Sequence, residues 1–232
     1  MEANLKTQKV GGEGPSLLGM MTSPGLQFER MKTNEKVWGM FFLVALLQGL
    51  VGGLTTYVVN TSPEMINMQK ELGELAGKGS ITSEVIYGIG SGFVGAMIGS
   101  LFVAVIYKVF MIFFGNDTSY KKLLTIVVYT NISLIIGGLI NGIIALILDG
   151  GATQYTSFGP LFEKGSPEYG IGNTIEVFYL WNLVLIWLGL QVTAGLSKVQ
   201  ALIPNIILFI IKAVFLAVIV VLIAKLLPGM SV

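Results

Sequence analysis

Residues 85–115 read VIYGIGSGFVGAMIGSLFVAVIYKVFMIFFG, a run whose only charged side chain is Lys108. A helix needs about 20 apolar residues to cross the roughly 30 Å hydrocarbon core of a bilayer. This run is long enough, and Val37–Val59, Leu123–Leu148, Thr174–Val192 and Asn205–Leu227 accompany it. A soluble domain has no use for such stretches, because helices facing water need a polar stripe. The pattern predicts an all-α fold, a polytopic membrane bundle of five transmembrane helices.

Composition agrees. Of the 232 residues, 53% are hydrophobic and only 12% charged, against a soluble norm of roughly 25% charged, and the mean hydropathy is +0.79. A net charge of +1 gives no bulk attraction to nucleic acid. There is no Cys and no His, which removes disulfides, thiol nucleophiles, imidazole bases and the usual zinc and haem ligands. No catalytic, cofactor-binding or metal-binding residue is therefore expected. The sequence holds no HExxH and no GxxxxGK[ST], so neither zinc peptidase nor nucleotide hydrolase chemistry is indicated. Gly88-x-Gly90-x-Gly92 matches a nucleotide loop by letters only, since no strand precedes it. A membrane enzyme is the least favoured class, given the missing side chains that general acid–base work prefers.

Three regions follow along the chain. Residues 1–22, punctuated by Gly11, Gly12, Gly14 and Pro15, read as a flexible cytoplasmic tail. They lack an apolar core segment before a cleavage site, so no signal peptide is expected. Ser23-Pro24 looks like a helix start with Ser as N-cap. Residues 23–36 place Leu26, Phe28 and Met31 among Glu29, Arg30, Lys32, Glu35 and Lys36, an interfacial amphipathic segment, or more plainly a solvated lead-in. Residues 37–232 form the five-helix domain. Between its first two helices, Met65, Met68, Leu72 and Leu75 recur at near-helical spacing and predict a second surface helix.

Basic residues orient the bundle. Alternation puts Lys6, Lys9, Arg30, Lys32, Lys36, Lys108, Lys121, Lys122 and Lys198 on one side and Lys70, Lys78 and Lys164 on the other. The side rich in Lys and Arg faces the cytoplasm. This predicts a cytoplasmic N-terminus and, after five crossings, a C-terminus outside.

Two sets of residues stand out within the membrane. Gly88, Gly92, Gly95 and Gly99 are spaced four, three and four, making one smooth helix face. Such faces let backbones approach closely. Packing within the bundle, with Gly49, Gly53, Gly138 and Gly142, is the ordinary use; a partner helix or a homodimer is the sharper one. The second set is polar: Asn131, Asn141, Asn182 and Lys212. Asn131 and Asn141 share a face with Gly138 by spacing and predict a polar seam between the third and fourth helices. Lys212 falls about 12 Å into the fifth helix counted from Pro204, with no Asp or Glu at matching depth, and is expected to snorkel or to serve function. Asn173-x-x-Glu176 has the spacing of a capping box.

Taken together, Ser23-Pro24 with Phe28-Glu29-Arg30-Met31-Lys32, the stretch Lys121–Leu134 with its central Tyr129, and Phe178–Leu185 followed by Gly189-Leu190 resemble the Ypt-interacting-protein (YIP) family over roughly residues 23–227. The resemblance implies a five-helix membrane protein without enzymatic activity. Eukaryotic relatives bind small GTPases and serve vesicle traffic, but their Asp-Leu-Tyr-Gly-Pro element is missing here. The near absence of Arg favours the prokaryotic, YknW-like branch, whose members accompany ABC-type exporters, and a prokaryotic cell membrane. The expected function is that of an accessory or scaffold protein in a transport or trafficking complex, with lipids and other membrane proteins, including an ABC-type exporter, as partners. The alternative is a small channel or transporter subunit with a polar path along helices 3–5.

Overall fold

A computed structural model describes residues 14–34, 36–72 and 79–226 of the chain. Its helices are α1 (Leu17–Thr22), α2 (Pro24–Thr33), α3 (Trp38–Thr61), α4 (Pro63–Leu72), α5 (Ile81–Phe113), α6 (Tyr120–Thr130), α7 (Ile132–Leu148), α8 (Pro167–Thr174), α9 (Val177–Val192) and α10 (Lys198–Leu226). No strand occurs among the described residues beyond a single bridge, Ser157 with Glu176. Four stretches are long and apolar enough to cross a membrane: α3, α5, α6 with α7, and α10; α9 is a fifth, shorter apolar helix.

Helix starts follow local chemistry. Ser80, Ser119 and Ser166 each accept a backbone N–H from three residues on, at Ser83, Lys122 and Tyr169, which satisfies one of the donors a helix leaves free. Ser23 sits at the N-cap of α2 before Pro24 but makes no side-chain cap bond. Its backbone N–H instead closes α1 on the Gly19 carbonyl.

The segment read as a tail is partly built into the fold. Residues 1–13 lie outside the described residues, but Leu17–Thr22 is helical and Met20 is fully buried. The segment read as lying on the membrane surface has its apolar face in protein: Phe28 and Met31 are buried, and the Phe28 ring lies against Gly189 of α9. Glu29 and Lys32 on the open face form an ion pair at 2.8 Å. The second surface helix exists as α4; Leu75 lies outside the described residues, as does residue 35 of the lead-in.

The glycine faces join α3, α5 and α7. A methyl added at Gly52 would lie 2.5 Å from the Gly88 carbonyl oxygen, and one at Gly92 would lie 2.9 Å from the Gln48 carbonyl oxygen. On the far flank of α3, Val51 touches Gly138 and Leu54 touches Gly142. Without water to drive apolar contact, this fit is what holds membrane helices together. The expected face therefore divides: Gly88 and Gly92 are spent on α3, whereas a methyl at Gly95 or Gly99 would meet nothing within 4 Å.

The third apolar run is broken. α6 and α7 meet at Asn131, where Ser133 Oγ and Asn182 Nδ2 both donate to the Thr130 carbonyl, at 3.0 and 2.8 Å. Side chains that take over backbone acceptors bend a helix at that point. The fifth run begins earlier than read, at Lys198, and carries Pro204 inside the helix.

The connections gather at two ends. At one, Thr193 Oγ1 donates to the Phe28 carbonyl (3.0 Å), and Asn116 Nδ2 donates to the Ala194 carbonyl (2.9 Å). At the other, Lys164 pairs with Glu64 at 3.2 Å. These are the two groups into which alternation sorted the same segments.

The α3–α5 contact yields a test. Gly52→Ala is expected to cost about 1–3 kcal/mol, the usual range for overpacking, whereas Gly99→Ala is expected to be neutral or stabilising by up to about 1 kcal/mol from helix propensity. Denaturation of the purified variants in detergent checks the order; equal effects at both sites would contradict the packing described.

Candidate functional site

The site is built around a break between α8 and α9. Both run antiparallel to α10 along its length. Gly165 lies beside Ala224, Gly170 against Ala217, Tyr179 against Phe209, and Trp187 Nε1 donates to the Lys198 carbonyl at 2.9 Å. The two short helices behave as one interrupted helix, its gap at Ile175-Glu176. Gly170 permits the close approach, since a methyl there would lie 2.8 Å from the α10 backbone.

Glu176 fills the gap. Its carboxylate accepts the backbone N–H groups of Phe178 (3.0 Å) and Tyr179 (2.6 Å). An anionic cap at a helix N-terminus is favoured by both the free donors and the dipole. Glu176 is thus the N-cap itself. The capping box read from Asn173 does not form, and Asn173 Oδ1 accepts from Ser157 Oγ at 2.9 Å instead.

A polar chain runs from this cap into α7. Thr156 Oγ1 donates to Glu176 Oε1 at 2.6 Å, Asn141 Nδ2 donates to Thr156 Oγ1 at 2.6 Å, and the Thr156 N–H donates to Asn141 Oδ1 at 3.0 Å. The segment after α7 therefore reaches inward at Thr156 and again at Thr174 and Glu176, while Phe158, Leu161 and Phe162 between them stay exposed. Non-helical backbone is tolerated at membrane depth only where protein or a cavity satisfies it.

Two cavities flank the α9–α10 line. The smaller, about 510 Å³, is lined by Asn141, Asn173, Glu176, Tyr179 and Lys212, among glycines of α7 and α8. The larger, about 660 Å³, lies between α5 and α10, with Gly95, Gly99, Ser100, Asn131, Asn182 and Lys212 on its walls. Lys212, Tyr179 and Leu134 belong to both. The Lys212 ammonium sits 3.3 Å from the centre of the Tyr179 ring, a cation–π contact.

The structure sorts the expected polar residues into two groups: Asn131, Asn182 and Lys212 line the larger cavity, and Asn141 and Lys212 the smaller. The bend at Asn131 turns it toward α5, where its Nδ2 donates to Ser100 Oγ at 3.1 Å, while Asn141 faces Thr156. Asn182 spends its amide on the bend itself. Lys212 is the link, and its depth differs from that read: it stands midway along α10, about 20 Å from either end. It also has an acidic neighbour, since the charge of Glu176 acts on it. Thr156 and Tyr179 were not singled out. Spacing carried a signal for the second: Glu176, Tyr179 and Asn182 recur every three residues, and Lys198, Asn205 and Lys212 every seven. Of these, Glu176, Tyr179 and Lys212 come together at one cavity, whereas Asn182 turns to the Thr130 carbonyl and Lys198 is exposed. Asn205, the middle member, accepts the Tyr107 hydroxyl at 2.6 Å. Among the described residues no group of acidic side chains could hold a metal ion.

Apolar helices of this length, with polar groups turned inward, define a multi-pass integral membrane protein. The Yip1 domain family matches residues 18–223, and the chain belongs to that family. It is 34% identical over 221 residues to "Membrane protein YknW" of Bacillus subtilis (strain 168), covering 93% of this chain and 94% of the relative. No solved structure matches the chain. The family read from the segments before the first helix and within the third and fourth is the family found.

Asn141→Leu is expected to destabilise the protein by about 1–3 kcal/mol, because the partly buried Thr156 N–H loses its acceptor. Chemical denaturation in detergent measures it; an unchanged midpoint would mean that the Asn141–Thr156–Glu176 chain does not hold the inward segment.

Proposed function

We propose that this Yip1-family membrane protein is a non-enzymatic accessory or scaffold subunit, acting through protein contacts in a transport or trafficking complex. The observation that carries this reading is the lengthwise division of α5. Its first half is locked onto α3 through Gly88 and Gly92. Beyond Gly92 the helix leaves Val94, Ile98, Phe102 and Val105 between 48% and 64% exposed, beside the open flank at Gly95 and Gly99. Steps of three and four keep these residues on one ridge. A ridge next to a smooth flank is the shape that membrane helices use to pack. Resemblance to the prokaryotic members that accompany ABC-type exporters nominates a membrane subunit of such an exporter as the partner.

In this reading α3, α5, α6–α7, α8–α9 and α10 make five crossings. The excess of Lys and Arg at the end that holds α2 and residues 193–197 supports a cytoplasmic position for that end. The residues after α10 then emerge outside.

A photo-crosslinking amino acid placed at Phe102 in native membranes tests the reading. The expected adduct contains an exporter membrane subunit, identified by mass spectrometry, and falls several-fold with Gly99→Leu. An adduct of the chain with itself favours a homodimer through the same face. A chain that crosslinks to no protein overturns the proposal.

A second reading, a small channel or transporter subunit, is favoured by one observation: two cavities that share Lys212 and Tyr179. Purified protein in liposomes would then pass solute, and Lys212→Ala or Asn141→Leu would abolish the flux. Liposomes that stay tight discard it.

A further inference from the structure

The larger cavity has an unusual combination of walls. Phe102, Val103, Leu208, Ile211 and Phe215 make an apolar slot between α5 and α10, and Gly95 and Gly99 keep it open because neither contributes a side chain. Its volume, about 660 Å³, lies within the roughly 300–1,000 Å³ of small-molecule sites. At its inner end stands a positive charge. Lys212 is too far from either end of α10 for its stem to reach the headgroup region, and a charge at this depth is costly unless paired.

That charge lacks a hydrogen-bonded anion. Among the described residues Lys212 Nζ makes no hydrogen bond, and it lies over the face of Tyr179. Glu176 acts on it electrostatically, but each Glu176 oxygen already accepts a backbone N–H of α9, and one accepts Thr156 as well. The carboxylate is committed to its helix. A second donor, the Gln48 amide, lines the same cavity and likewise makes no hydrogen bond among the described residues.

We propose that this cavity binds a long-chain amphiphile with one anionic head, a carboxylate or a phosphate monoester. The head oxygens pair with Lys212 Nζ, and the alkyl chain lies in the slot past Gly95 and Gly99 and leaves between α5 and α10. Charge complementarity selects the head, because the site offers donors and a cation. The apolar walls select the tail. This assignment goes beyond the accessory role and does not rest on it, since it concerns the protein alone.

The test uses the purified full chain in nanodiscs of phosphatidylcholine, with three photoreactive probes: diazirine palmitic acid, diazirine phosphatidic acid and, as the neutral comparator, diazirine palmityl alcohol. Saturable labelling of α5 and α10 peptides by an acidic probe is expected, at least tenfold above the alcohol. Labelling by the fatty acid alone identifies a free carboxylate as the ligand; labelling by phosphatidic acid alone identifies a lipid phosphate. Lys212→Met is expected to remove at least tenfold of the acid labelling, Lys212→Arg to keep it, and Gly95→Leu with Gly99→Leu to block all three probes by filling the slot. Should Lys212→Met not fold, the ratio of acid to alcohol labelling on the unchanged protein decides. Equal labelling by alcohol and acids, no saturable labelling, or a folded Lys212→Met variant that labels normally overturns the proposal. Phe102 and Gly99 belong to both surfaces, but crosslinking is read as a protein adduct and labelling as a probe adduct on the purified chain, so the failure of one is distinguishable from the failure of the other.

Discussion

A helix interrupted inside a membrane exposes backbone donors where no water can take them, and here one carboxylate meets that demand. Glu176 accepts two N–H groups at the start of α9. The inward reach of Thr156, the seating of α8 on α10 and the placement of Tyr179 under Lys212 all depend on α9 beginning at that point. In hydrocarbon each unsatisfied group costs several kcal/mol, so the cap and the gap require each other. The same logic governs the bend at Asn131, where the Thr130 carbonyl is served by Ser133 and Asn182. Both interruptions border the cavities. Polar groups released by broken helices are the ones that make the interior of this bundle chemically distinct from lipid.

A second constraint is economy of small residues. Glycines of α3 and α5 interlock at van der Waals range, and those of α7 receive Val51 and Leu54. This core of three helices leaves the side of α5 toward α10 without a direct partner. Tyr107 and Asn205 bridge the two helices, and α10 is otherwise held by α8 and α9. An open slot between α5 and α10 follows from where the glycines are spent, not from any residue that pushes the helices apart.

Much of this architecture was legible. Long apolar runs located three of the four long spans within about four residues at each end and missed the first seven residues of α10, because length and hydrophobicity are the properties the bilayer selects and Lys198, Gln200 and Pro204 hide the start of that helix. Alternation sorted the connections into the groups that meet at the two ends. Glycine spacing identified the packing face but not its division, since Gly88 and Gly95 are the same letter and differ only in what lies opposite. The interruptions escaped notice for a related reason. A polar residue in an apolar run, such as Asn131, reads as a single hydrogen-bonding group, and its effect on the helix depends on Asn182, which is distant in sequence. The fourth run concealed the most: Asn173 and Glu176 suggested a reciprocal box at a surface helix end, whereas the chain had already entered the protein through Gly170 and Thr156. The family was recoverable from short motifs because their order along the chain is itself information.

The helices differ greatly in length. α5 has 33 residues and α9 has 16, about 50 Å against about 24 Å at 1.5 Å per residue. α5 exceeds a bilayer core of roughly 30 Å, whereas α9 falls short of it and completes a crossing only together with α8. A helix as long as α5 is accommodated by tilting or by thickening the surrounding leaflets, a demand the α8–α9 line does not make. That difference between flanks gives the molecule a preferred rotational setting toward any neighbour with an overlong helix of its own.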